Sequence, residues 1–105
     1  MPEMSKCNIT VLKRTVNQDI ADEYLAIEGQ ISPCDSFKDG QEFVVDIWYQ
    51  PPEGFCTWAW ADIRREIKTI AAGGNLGSVK QPGTAIAGCT DWFRPVIFKI
   101  ERLDG

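Results

Sequence analysis

One stretch, Glu53 to Gly74, restricts the possible folds more than any other part of the chain. Pro51-Pro52 precede it, and within it Trp60, Ile63, Ile67 and Ile70 recur at steps of three and four. Asp62, Arg65, Glu66, Lys68 and Thr69 fall mostly on the opposite side, the pattern of an amphipathic helix lying on a core. Thr57 is the expected N-cap, through its hydroxyl. Gly73 is the residue expected to take left-handed backbone at the helix end. No other segment carries a helical period of this length, so the partner surface for that apolar face has to come from strands.

The remaining apolar residues mostly keep a period of two. Cys7, Ile9 and Val11 alternate with Asn8, Thr10 and Leu12; Phe43, Val45 and Ile47 share a face opposite Val44, Asp46 and Trp48. Thr84 to Cys89 reads as a strand of small residues that lets another element approach closely. Val96, Phe98 and Ile100 alternate with Ile97, Lys99 and Glu101 in a last strand begun by Pro95. A second, shorter helix is expected over Gln18 to Ala26, capped by Asn17, with Ile20, Tyr24 and Leu25 as its buried side. Gly29 to Gly40 is mostly connection, with turns at Ser32–Asp35 and Lys38–Gly40. The expectation is an α+β fold: a small antiparallel or mixed sheet of about four strands, open or curled toward a barrel, packed on one main helix. It forms one domain over residues 1–105, with residues 1–5 a disordered start.

The chain has 105 residues and a formal net charge of -4, with no long single-sign run. That balance argues against nucleic acid or an anionic membrane surface as partner, since phosphate neutralisation needs clustered Lys and Arg. No apolar run approaches the roughly 20 residues of a membrane span, and no secretory signal is seen, so the default location is cytoplasmic. Histidine is absent. A histidine base, a Ser-His or Cys-His couple and a histidine-ligated metal within this chain are thereby excluded.

Four cysteines remain as the obvious chemical groups: Cys7, Cys34, Cys56 and Cys89. None forms a Cys-x-x-Cys pair, so the local signature of a structural zinc or thioredoxin-like site is missing. All four fall at the ends of elements, where a fold gathers a site: Cys56 at a helix start, Cys34 and Cys89 at turn or strand ends, Cys7 at a strand entry. Cys34, Cys56 and Cys89 are the candidate ligands of a soft metal or iron–sulfur cluster. The competing reading is that all are small buried hydrophobes. Cys56 stands out as a candidate nucleophile, because the start of a helix favours a thiolate. Trp58 and Trp60 follow it. Two residues apart on a helix they lie roughly 200° from each other, so one can pack in the core while the other lines a groove or a subunit contact. Trp48, Trp92 and Phe93 offer further wall. Asp91 and Arg94 beside Cys89 read either as a turn pair or as polar contacts for a ligand, and Asp62 as a surface acid favoured by the helix dipole.

Several phrases span nearly the whole chain: Lys6-Cys7-x-Ile9-Thr10-Val11-Leu12-Lys13, Pro33-Cys34, Gly54-Phe55-Cys56-x-Trp58-Ala59-Trp60-Ala61-Asp62, Gly73-Gly74-Asn75, and Cys89-Thr90-Asp91 leading to Arg94-Pro95. On these the chain resembles a family of short bacterial and archaeal proteins, many from anaerobes, marked by the Gly-Phe-Cys-x-Trp-Ala-Trp phrase. The resemblance implies that Cys34, Cys56, Cys89 and Asp91 are family features, and it implies no particular reaction. Gly88 and Trp92 stand where the family pattern often has a second cysteine and a glycine.

Two functional expectations follow. In the first, a cysteine- and tryptophan-lined site holds a soft metal or small ligand, or does thiol chemistry, with Cys56 catalytic, Cys34, Cys56 and Cys89 as metal ligands, and Trp58, Trp60, Asp91 and Arg94 as ligand contacts. In the second, the chain is a noncatalytic module whose tryptophans form a homo-oligomer or partner interface and whose cysteines are packing.

Overall fold

A computed structural model describes residues 4–103. Its elements are β1 (Cys7–Arg14), α1 (Gln18–Tyr24), β2 (Glu42–Val45), α2 (Thr57–Ala71), β3 (Thr84–Gly88) and β4 (Val96–Arg102). The four strands form one sheet in the order β2-β1-β4-β3, and every pairing is antiparallel. The sheet is open, with β2 and β3 at its edges, rather than curled into a barrel. The α+β expectation holds, and the choice between an antiparallel and a mixed sheet falls to the former.

The period-two residues face α2. Cys7, Ile9 and Val11 of β1, Val96, Phe98 and Ile100 of β4, and Ala85 of β3 are all buried. Against them α2 sets Ala59, Ile63, Ile67, Ile70 and Ala71. Ala85 is small enough for the helix backbone to come close over β3, as the thin strand requires. A bulge between Val11 and Lys13 leaves Leu12 without a partner in β4 and exposed. Four phenylalanines close one end of the core. Phe37 packs edge-on against Phe43, Phe55 and Phe98 at centroid distances of 5.9, 5.1 and 5.2 Å. Such pairs contribute beyond their buried area. Phe37 comes from the connection between α1 and β2, and its burial pins an otherwise irregular segment to the core.

Both ends of α2 differ in detail from the sequence reading. Cys56, not Thr57, is the N-cap, and no side chain caps the helix there. Thr57 is already the first helical residue. At the other end Gly73 takes the expected left-handed backbone, φ 98°. Gly74 is needed for a separate reason, since a Cβ there would lie 2.9 Å from the Thr69 carbonyl oxygen. Arg102 completes this end: its guanidinium donates to the carbonyls of Ile70 and Gly74 at 2.8 and 2.9 Å. A cation on the last carbonyls also suits the negative end of the helix dipole.

Three further expectations need correction. Ser5, assigned to a disordered start, donates its N–H to the Ala71 carbonyl at 2.8 Å, and Met4 packs against the core; residues 1–3 of that start lie outside the described residues. β2 ends at Val45, and Ile47 is exposed because a turn anchored by the Asp46 carboxylate redirects the chain. α1 ends at Tyr24, and its buried residue is Ala21, while Ile20 and Tyr24 are exposed. Periodicity identified the apolar side of α1 but not which part of it would be covered.

Candidate functional site

At the N-terminal end of α2 four separate segments surround a groove of about 610 Å³. Cys56, Trp58 and Ala59 line it from the helix start, Ile20 and Tyr24 from α1, and Cys34, Ser36 and Phe37 from the α1–β2 connection. The fourth wall is the β3–β4 connection, Cys89 to Arg94.

That connection is built by its own polar residues. The Asp91 carboxylate accepts the N–H groups of Phe93 and Arg94, both at 3.2 Å, which makes a tight Asx turn. The Arg94 guanidinium lies 3.6 Å from the other carboxylate oxygen, so the turn-pair reading of these two residues is the geometry observed. Cys89 is buried, and its sulfur accepts the N–H of Val96 at 3.3 Å.

Asp62 fixes this turn to α2. One of its carboxylate oxygens accepts both the backbone N–H and the hydroxyl of Thr90, at 2.7 and 2.9 Å. The Thr90 hydroxyl oxygen in turn accepts the indole N–H of Trp58 at 2.9 Å. Asp62 is thus a tie between helix and loop, not the free surface acid read from the sequence. The chain Trp58–Thr90–Asp62 also decides which face Trp58 presents to the groove.

α1 is held from outside. Asn17 occupies its N-cap position, as expected, but makes no side-chain capping bond; its amide donates instead to the Trp92 carbonyl at 2.6 Å and its N–H to the Phe93 carbonyl at 2.9 Å. Cys34 is placed by Arg14, whose guanidinium donates to the Cys34 carbonyl at 3.0 Å while pairing with Asp39 at 3.1 Å.

The structure therefore brings Cys34, Cys56, Cys89, Trp58, Asp91 and Arg94 around one groove. It does not bring Trp60 there. Trp60 leaves the helix on the other side and packs on Phe55 and Tyr49, with centroid distances of 6.2 and 5.7 Å. The Tyr49 hydroxyl closes that contact by donating to the Arg64 carbonyl. The two-residue spacing required the tryptophans to part, and the Tyr49 ring is what claims Trp60. Trp48 is exposed elsewhere and lines no part of the groove.

All four cysteines are free thiols. Cys7 is apart from the others, sealed under α2 with its sulfur 3.9 Å from the Ile67 carbonyl oxygen. Burial pushes its pKa up to about 11 against a smaller opposing pull from Arg102, so it is an inert packing residue. Although three thiols share the groove, no group of three or more Cys, Asp or Glu among the described residues is arranged to hold a metal ion. The donor set named from the sequence does not fit a ready-made metal or cluster site. Ile20, Tyr24, Ser36, Phe37 and Ala59 are the lining residues that sequence reasoning missed. The signal for the first two was present, an apolar pair at i and i+4, and it was spent on the core.

Compared with known proteins, the chain matches no family model, no curated protein and no solved structure. Among the described residues no helix is long and apolar enough to cross a membrane.

Proposed function

We propose that the groove binds a small, largely apolar organic molecule, with Trp58 and Trp92 as its walls and the thiols of Cys34 and Cys56 beside it. The observation that carries this reading is the groove itself: about 610 Å³, walled by aromatic and sulfur-bearing side chains. Small-molecule sites are typically clefts of roughly 300–1,000 Å³ with few polar groups. The polar residues at its edge support the same reading, because Thr90, Asp62, Asp91 and Arg94 are engaged with one another. On this reading the residues singled out by the family resemblance, Cys34, Cys56, Cys89 and Asp91, are the ones that build and line the groove.

The test is titration with Nile red, a neutral dye whose emission reports an apolar environment. Trp58→Ala and Tyr24→Ala should each weaken binding at least about fivefold, roughly 1 kcal/mol, while Trp48→Ala leaves it unchanged. Dye bound equally well by all four proteins would discard the proposal.

A second reading has its own support. Tyr24, Trp58 and Trp92 are 75%, 63% and 66% exposed, which is unusual for aromatics clustered round one groove. In that reading they form a contact between copies of the chain. Sedimentation of wild type and Trp58→Ala separates the two: a wild type that is monomeric at all concentrations removes the interface.

A further inference from the structure

The segments that wall the groove carry a one-sided charge. Residues 18–24, 34–37, 56–62 and 89–94 contain Asp19, Asp22, Glu23, Asp35, Asp62 and Asp91, against Arg94 as their only basic residue. Arg94 faces Asp91, its guanidinium 3.6 Å from a carboxylate oxygen. Arg14, which approaches from behind Cys34, is committed to Asp39. Lys38 follows Phe37 on the exposed side. Glu23, Asp35 and Asp62 have no basic partner among the described residues. Two of these, Asp35 and Glu23, adjoin lining residues in sequence and are exposed. Asp35 sits between the lining residues Cys34 and Ser36, and Glu23 lies between Ile20 and Tyr24 in sequence, on the solvent side of the face those two present.

Resting on the reading of the groove as a small-molecule site, we propose that its ligand is an organic cation: an apolar or aromatic body carrying an ammonium group. Two independent features select that class. Carboxylates round a low-dielectric cleft focus a negative potential into it, which raises the local concentration of cations and repels anions. The exposed rings of Tyr24, Trp58 and Trp92 offer π surface, which attracts an ammonium more strongly once water is displaced. The apolar body accounts for the remaining walls, where burial of hydrocarbon is favourable. The one basic residue lining the groove among the described residues, Arg94, has its charge offset by Asp91 beside it.

The experiment compares three probes of the same shape by calorimetry and by tryptophan quenching. They are phenethyltrimethylammonium, its uncharged carbon isostere, and the anion 3-phenylpropanoate. The cation should bind at least about tenfold more tightly than either of the others at low salt, a difference of about 1.4 kcal/mol. That advantage should shrink as ionic strength rises, because the exposed carboxylates are screened. The double variant Glu23→Gln/Asp35→Asn, at two exposed positions, should lower the ratio of cation to isostere affinity at least threefold. If the isostere binds as well as the cation while Nile red still binds, the charge preference is wrong and the groove reading survives. If none of the probes binds and Nile red does not either, both fall together.

Discussion

Replacing Asp62 by alanine tests the tie on which the groove depends. The substitution removes two hydrogen bonds accepted by one carboxylate oxygen, from the Thr90 N–H at 2.7 Å and the Thr90 hydroxyl at 2.9 Å. Bonds to charged groups contribute about 1.5–3 kcal/mol each when buried. Here both are only part-buried and water replaces the carboxylate in part, so the expected loss is about 2 kcal/mol in all. Urea denaturation followed by tryptophan fluorescence and circular dichroism reads it as a lower midpoint with unchanged slope. The same tie predicts a local effect. With the 89–94 turn released, the Cys89 thiol, now buried against the Val96 N–H, should react faster with a maleimide than in wild type. A double-mutant cycle with Thr90→Val isolates the hydroxyl share, and the two substitutions should cost less together than the sum of their separate costs. An Asp62→Ala protein within 0.5 kcal/mol of wild type, with additive behaviour in the cycle, would refute the reasoning.

Three other outcomes are expected. Native thiol labelling should proceed first at the half-buried Cys34 and Cys56, then at Cys89, and last at Cys7, as resolved by peptide mass mapping; early modification of Cys7 would contradict its burial. Because the Cys7 pKa is raised from an ordinary 9.0 to about 11, the unfolded chain gives up that proton first, so its contribution to stability is complete below pH 9 and is lost as pH rises toward 11. Cys7→Ala should flatten the fall in stability over that window, read from urea midpoints. Ile67→Ala, at a fully buried position under β1, should cost about 2–5 kcal/mol, whereas Trp58→Ala should cost under about 1 kcal/mol and Trp60→Ala clearly more, because only Trp60 is packed between Phe55 and Tyr49.

The parts of the fold that follow from local pattern could be read directly from the sequence. The steps of three and four through Ile63, Ile67 and Ile70 set the buried face of α2, and alternation set the inward residues of β1 and β4. Strand order could not be read, because every strand offers an apolar face and nothing local says which edge pairs with which. The site was readable in part through its chain positions: Cys34, Cys56 and Cys89, at the ends of elements, came to one groove, but Cys7, equally at an end as the first residue of β1, was buried under α2 away from them. Two misreadings share one cause. Ile20 and Tyr24 were assigned to the core, and Asp62 to open surface, because a sequence shows that a side chain points away from its helix but not what meets it. For Asp62 the partner is Thr90, 28 residues away. For Tyr24 nothing arrives to cover it.

α1 is seven residues long with a single buried side chain, too short to persist alone, and it is held by bonds from Asn17 to the Trp92 and Phe93 carbonyls. One wall of the cleft is therefore expected to open at lower cost than the other three, with the sheet and α2 intact. Amide protons of Ala21 to Leu25 should exchange orders of magnitude faster than those of Ile63 to Ile70. On the proposed reading of the cleft, a ligand would enter past α1 while the sheet and α2 keep their packing.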